Sequence, residues 1–129
     1  MAGREISGPQ AARGDLFDGR ALLITPTSRT SPETLALARE MAELLGSTPY
    51  EISAPDHDRL IAGISHMPQI VSSLLASTLV DFTEDQLALS GGGLRDVTRI
   101  ASSDASLWSS LLNENRESVL VQLEVFDQK

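Results

Sequence analysis

The chain has 129 residues, of which 41% are hydrophobic, and this is enough for one ordinary domain with a core of its own. Its formal net charge of -8 argues against nucleic acid and anionic membranes as partners, so an anionic ligand would need a local cationic pocket. The absence of cysteine excludes disulfides and thiolate metal sites and suits the cytoplasm, and no apolar run approaches the ~20 residues of a membrane-spanning helix.

Residues 1–54 begin with a polar, glycine-rich loop and continue as strand, helix and strand. The apolar run 20–26 ends at a proline and predicts a buried strand, and residues 48–53 predict a second strand. Between them, Ser31 predicts a helix start and Gly46 a helix stop. This order favours parallel strands joined by a right-handed crossover. Because two strands rarely form a stable sheet alone, we expect them to be the end of a larger doubly wound sheet.

Residues 55–129 predict helices only. A helix is expected over residues 56–80, with so little charge after its first turn that most of its sides should be buried. In so short a chain, this burial predicts contact with a second copy. Pro68 should kink the helix and free backbone groups, which suits a polar pocket. The polar side chains near the kink are Ser65, His66 and Gln69.

A glycine-rich stretch, residues 91–93, precedes two arginines. The glycines permit backbone conformations closed to other residues and the close approach of a ligand. Arg95 and Arg99 are four residues apart and would share one face of a helical turn, and an arginine fork can hold a carboxylate or phosphate at two points. Asp96 would orient an arginine or gate access to it. The alternative interpretation is a glycine loop with solvated charges.

Two further helices are predicted after residue 80. Thr83 should cap a short one, and Ser103 or Asp104 should cap a final helix that runs to about Gln128. Trp108 lies on the apolar face of that final helix, a position that usually belongs to a core or an interface.

Common catalytic motifs are absent from the sequence. It contains no P-loop, no Gly-x-Gly-x-x-Gly and no Gly-x-Ser-x-Gly. The two histidines, His57 and His66, are nine residues apart rather than the three or four that would place two ligands on one helix face. We therefore expect no metal site.

Three ordered blocks carry a family resemblance. They are GGGLRDVTRIASSD at 91–104 with Trp108 and Asn115 after it, HDR at 57–59 with ISHMPQ at 64–69, and MAGREISG at 1–8. Together they resemble the C-terminal portion of prephenate and arogenate dehydrogenases, the tyrosine-biosynthesis family, over nearly the whole chain.

The resemblance implies that the chain is a fragment. The family's catalytic histidine would lie two positions before Met1, so no catalytic residue is expected in the chain itself. NAD or NADP would be bound mainly by a domain that precedes it. Residues 1–54 would be the truncated end of that nucleotide-binding domain, and residues 55–129 a helical dimerisation and substrate-binding domain.

The resemblance also implies roles for individual residues. Arg99 would grip a substrate carboxylate through a bidentate contact. The residues that would line the substrate pocket with it are Ser65, His66, Gln69 and Trp108, the last reaching into the pocket of the partner subunit. The residues that would gate or support the site are Glu5, Asp96, Arg4 and Arg95.

Two positions give opposite indications about the substrate. Many prephenate-specific members have histidine where this chain has Gln69, and a neutral amide there favours arogenate, whose side chain carries an ammonium. Arg4 lies near the catalytic loop, and its charge favours the more anionic prephenate. The expected substrate is therefore prephenate or arogenate.

The implied reaction is oxidative decarboxylation, in which hydride passes to a nicotinamide and the ring becomes aromatic. This chain would supply substrate binding and the interface of a homodimer, and would be inactive alone. The alternative is a stand-alone helical dimerisation or ligand-sensing module without catalysis.

Overall fold

The computed structural model describes residues 8–129, which form two compact units divided between His57 and Asp58. The positions of Arg4 and Glu5 lie outside the described residues. The predicted domains, 1–54 and 55–129, remain a prediction about a longer protein.

The first unit contains the predicted strand, helix and strand. β1 spans Ala21–Ile24, α1 spans Pro32–Leu44 and β2 spans Thr48–Glu51. The two strands are parallel, with Leu23 opposite Tyr50. The predicted order and direction are confirmed. The expected burial of β1 is wrong, because its residues are only half-buried or exposed in a sheet of two strands.

Local capping explains both ends of α1. The hydroxyl of Ser31 accepts a hydrogen bond from the Thr34 N–H at 3.2 Å, and Pro32 occupies the first turn. Gly46 follows the helix with a φ of 74°, in the left-handed region that glycine tolerates best. A Cβ at Gly46 would lie 2.7 Å from Oδ1 of Asp18, so the turn also packs against the segment before β1.

Replacing Gly46 by alanine should destabilise the protein. The left-handed backbone alone costs about 1–2 kcal/mol for a residue with a Cβ, and the contact with Asp18 adds to it. Urea unfolding followed by circular dichroism measures the loss. Gly14→Ala is the matched control, because a Cβ there meets no atom within 4 Å. Equal midpoints for the two variants would contradict the assignment.

The long helix of the second unit is interrupted. α2 spans Ala54–Ile61, a π-helical turn spans Ala62–His66, and α3 spans Met67–Ser77. The predicted continuous helix is therefore wrong in its middle. Pro68 has no N–H to donate, and the wider turn immediately before it, in which the Met67 N–H bonds to Ala62 O, shifts the hydrogen-bond register.

The helical run from Ala54 to Ser77 is long and apolar enough to span a membrane by length and composition, which corrects the expectation that no stretch would be. One such run is weak evidence, because the core helix of a folded domain satisfies the same criterion. Here Gln69 and Ser72 are buried on it and donate hydrogen bonds to the backbone of a neighbouring turn. This packing is that of a folded helical domain.

The rest of the second unit is built from short helices. α4 spans Glu84–Ala88, α5 spans Gly92–Thr98, a 3-10 turn spans Arg99–Ser102, α6 spans Ala105–Glu114 and α7 spans Arg116–Asp127. Thr83 caps α4 as predicted, in a reciprocal arrangement with Gln86. The prediction of a single final helix is wrong, because the backbone of Asn115 leaves helical geometry and divides the segment into α6 and α7.

The glycine stretch also differs from expectation. Gly91 caps α5, and Gly92 and Gly93 form its first turn. None of the three has a positive φ, and a Cβ on any of them would meet no atom within 4 Å. Neither an unusual backbone conformation nor close packing within this chain therefore requires glycine here.

The cap of α6 should depend on pH. Oδ1 of Asp104 accepts hydrogen bonds from the Ser106 hydroxyl at 2.6 Å and from the Leu107 N–H at 2.7 Å. The Ser106 bond first, and then the Leu107 bond, hold the pKa of Asp104 below its ordinary value of 3.8. A depressed pKa means that the carboxylate stabilises the folded state above the unfolded-state pKa, and that this stabilisation is lost as pH falls through the folded-state value.

We therefore expect the Leu107 amide to lose protection from hydrogen exchange as pH falls below the ordinary Asp104 pKa of 3.8 and through the lower folded-state value. In Asp104→Asn the pH dependence should disappear, because asparagine caps a helix but does not titrate. The same acid-induced loss in the asparagine variant would contradict this explanation.

Candidate functional site

Two buried polar side chains on α3 hold the turn that carries Arg99. Ser72, 1% exposed, donates its hydroxyl to Val97 O at 2.7 Å. Gln69, 4% exposed, donates its Nε2 to Ile100 O at 3.0 Å. Carbonyls at a helix C-terminus lack some of their partners within the helix. Ser72 gives a donor to Val97 O, and Gln69 gives Ile100 O a second donor beside the Ser103 N–H at 3.1 Å. The backbone of Arg99 is therefore fixed on both sides.

A cavity of about 440 Å³ lies beside this turn, within the second unit. Its walls are mainly aliphatic, and the charged residues on it are Asp96 and Arg99. The lining residues are Gly63, Met67, Pro68, Val71, Ser72, Asp96, Val97, Arg99, Ile100 and Phe126. The arrangement suits a ligand with an apolar body and an anionic group, since the guanidinium fork binds a carboxylate at two points.

A second group of predicted residues surrounds His66. Its ring is 5% exposed and meets the ring of Trp108 edge-on, with centroids 6.0 Å apart and planes at 89°. Nδ2 of Asn115 lies 3.3 Å from Nδ1 of His66 and 2.8 Å from the carbonyl oxygen of Asp58. The cluster thus joins α2, the π-helical turn, α6 and the break between α6 and α7.

The structure places the predicted site residues in different surroundings. Asp96 and Arg99 share the cavity, whereas Ser65, His66, Gln69 and Trp108 are not among its lining residues. Trp108 was expected in the pocket of a partner subunit, and here it contacts His66 of its own chain. Arg95 is exposed on α5 and lies outside the cavity lining. Contact of these residues with a substrate stays a prediction.

Gln69 has a role that its residue type did not indicate. Its Nε2 donates hydrogen bonds to Ile100 O and, at 3.2 Å, to the hydroxyl of Ser73. The amide N–H groups therefore bond to the turn that carries Arg99 and to α3 itself. Ser72 and Asn115 were not predicted as functional at all. Asn115 was part of the resembling block, but Ser72 gave no signal beyond being a small polar residue on a sparsely charged helix.

Within residues 8–129, no three His, Cys, Asp or Glu side chains come together in a way that could hold a metal ion.

Comparison with known proteins agrees with this architecture. A family profile described as "Prephenate dehydrogenase, dimerization domain" matches residues 53–129. A probable prephenate dehydrogenase of Streptomyces niveus is 36% identical over 125 residues, which cover 96% of this chain and 34% of that protein. The chain covers between about a third and 44% of the length of each curated relative that it matches.

Solved structures give the same result. Prephenate dehydrogenase from Aquifex aeolicus, in complex with hydroxyphenyl propionate and NAD+, superposes with a TM-score of 0.88 at 33% identity, over 99% of this chain and 46% of that one. Synechocystis arogenate dehydrogenase superposes with a TM-score of 0.74 at 31% identity, over 88% and 43%. The chain therefore belongs to the prephenate dehydrogenase family, whose dimerization domain it carries in residues 53–129.

Proposed function

We propose that this chain is the substrate-binding and dimerisation part of a prephenate or arogenate dehydrogenase, a cytoplasmic enzyme of tyrosine biosynthesis. The relatives carry these names, and they are much longer than this chain. The reaction is therefore assigned to a longer protein, in which a preceding domain supplies the catalytic histidine and binds NAD or NADP. That cofactor accepts the hydride, and the ring carboxylate leaves as carbon dioxide.

The described residues do not fit a dinucleotide site. Residues 25–31 connect β1 to α1 and contain no glycine, so their backbone cannot approach a pyrophosphate as closely as a glycine-rich turn does. Over residues 8–129 the sheet has two strands. Cofactor binding is accordingly no part of the role that we propose for this chain.

The observation that carries the proposal is the cavity beside the fixed turn of Arg99. Its volume of about 440 Å³ falls in the range of small-molecule sites, and its aliphatic walls suit a six-membered ring. Arg99 would bind a carboxylate of the substrate, while Ser72 and Gln69 keep its backbone in place. This arrangement binds and orients a ring acid, and it performs no chemical step by itself.

The activity is tested by expressing the longer protein that contains this chain. Steady-state reduction of NAD+ and NADP+ should be observed with prephenate, arogenate or both, and the 129-residue chain alone should give none. A longer protein that is well folded and inactive with every combination would overturn the proposal. The chain would then be better described as a dimerisation or ligand-sensing module.

The proposed homodimer has its own test. α7 carries a row of exposed apolar side chains: Leu120, Val121, Val125 and Phe126. Light scattering at micromolar concentration should give twice the chain mass of 13.8 kDa. Val121→Glu should shift the protein towards monomer, since burying an unpaired charge is costly. Gln128→Glu adds the same charge at the exposed end of α7 and should leave the dimer intact. A monomeric parent would exclude the dimer.

A further inference from the structure

We infer that Asn115 fixes the tautomer of His66, so that Nδ1 is an unprotonated acceptor and Nε2 carries the proton. Asn115 would thus be a positioning residue that acts through His66. The inference about the tautomer stands on geometry alone, and only its consequence for substrate binding rests on the proposed function.

The orientation of the Asn115 amide follows from its contact with Asp58. The atom 2.8 Å from the side-chain amide is a backbone carbonyl oxygen, which can only accept a hydrogen bond. The amide must therefore present its NH₂ group there, because the opposite orientation would place two acceptor oxygens against each other. The choice between the two amide orientations is thereby settled by chemistry.

The tautomer of His66 follows from that orientation. The NH₂ group has two hydrogens, one directed at Asp58 O and the other available to Nδ1 of His66 at 3.3 Å. A protonated Nδ1 would place two donors against each other, so Nδ1 accepts. In a neutral imidazole, the proton then resides on Nε2. The same contact excludes the imidazolium form, in which Nδ1 also carries a proton.

The backbone around Asn115 explains why its side chain is held in place. Asn115 ends α6 and precedes α7 with φ of -103° and ψ of 28°. Its N–H donates to Leu111 O at 3.2 Å, and its carbonyl accepts from the Val119 N–H at 3.0 Å. Anchored to both helices, the residue has little freedom to turn its amide away from His66. The residue that breaks the helix, Asn115, therefore also holds the His66 ring in its orientation.

The functional consequence concerns what His66 can offer to a ligand. With the proton on Nε2, the ring has a neutral N–H donor on that side and cannot accept a proton there. If His66 contacts the substrate in the longer enzyme, it would donate a hydrogen bond to an oxygen rather than act as a base. Substitution of a positioning residue of this kind is expected to change KM and kcat in a different ratio from a substitution that only destabilises the fold.

The tautomer is measured directly by long-range proton–nitrogen NMR of the ¹⁵N-labelled chain without ligand. At neutral pH, Nδ1 of His66 should give an unprotonated signal and Nε2 a protonated one. In Asn115→Asp the carboxylate can only accept, so the Nδ1 signal should move to the protonated range. Asn113→Asp makes the same change at an exposed position of α6 and should leave His66 unchanged.

The parent spectrum alone can overturn the inference, even if Asn115→Asp fails to fold. A protonated Nδ1 in the parent would contradict it, and so would an unchanged tautomer in a folded Asn115→Asp variant. Because this measurement needs neither substrate nor cofactor, its outcome is independent of the enzymatic assay. An inactive longer protein would overturn the proposed function and leave the tautomer assignment standing.

Discussion

Replacing Arg99 by alanine in the longer enzyme should lower kcat/KM by roughly two to three and a half powers of ten. Arg99 is exposed in this chain, and the loss takes this size because a bound substrate would bury its carboxylate against the guanidinium. Loss of the partner of a buried charge costs ~3–5 kcal/mol, and each ~1.4 kcal/mol is a factor of ten. The effect should be large because the chain carries a net charge of -8, so an anionic substrate depends on local donors. Steady-state reduction of the nicotinamide cofactor with prephenate and arogenate in parallel measures it.

Two variants control for charge and for location. Arg99→Lys keeps the positive charge but loses the fork, so it should recover only part of the efficiency. Arg95→Ala removes an exposed arginine from the same helical segment, outside the cavity lining, and should stay within a few-fold of the parent. If Arg99→Ala also stayed within a few-fold of the parent with both substrates, Arg99 would not be the anchor.

Replacing Gln69 by leucine should destabilise the chain by about 0.5–1.5 kcal/mol, the net contribution of a typical intramolecular hydrogen bond. The bond that is lost joins Gln69 Nε2 to Ile100 O at 3.0 Å, and Ile100 O would keep only the Ser103 N–H at 3.1 Å. Because that carbonyl directly follows Arg99, the variant should also weaken substrate binding in the longer enzyme. Urea unfolding of the chain gives the first effect, and KM gives the second.

Ser73→Ala is the matched control for Gln69. It removes the other hydrogen bond of the same amide, at an exposed hydroxyl, and should change stability by no more than about 0.5 kcal/mol. If Gln69→Leu unfolded at the same urea concentration as the parent, the buried amide would have no structural importance. Its predicted contact with substrate would then be the better explanation of this residue.

The features that the sequence predicted well are those that depend on neighbouring residues. The caps at Ser31 and Thr83 each bond to a backbone N–H three residues ahead, and the turn at Gly46 needs only its own backbone angles. The parallel pairing of β1 and β2 follows from the length of the crossover between them. Such local interactions form independently of residues that are distant in the chain.

The features that were missed depend on residues distant in the chain. The amide of Asn115 bonds to Asp58 O, 57 positions away, and no local pattern marks the break between α6 and α7. Ser72 and Val97 are 25 positions apart, and Gln69 and Ile100 are 31 apart. The site residues themselves came from resemblance to a family, and the residues that support them became visible only in the structure.

Direct observation of the Arg99 side chain tests the central proposal most closely. In the longer protein, with arginine side chains labelled at Nε, prephenate or arogenate is added without oxidised cofactor, so that no turnover occurs. The Nε–H signal of Arg99 should shift on addition of substrate and the signal of Arg95 should not. A substrate that binds without moving the Arg99 signal would show that the cavity beside this turn is not the substrate site.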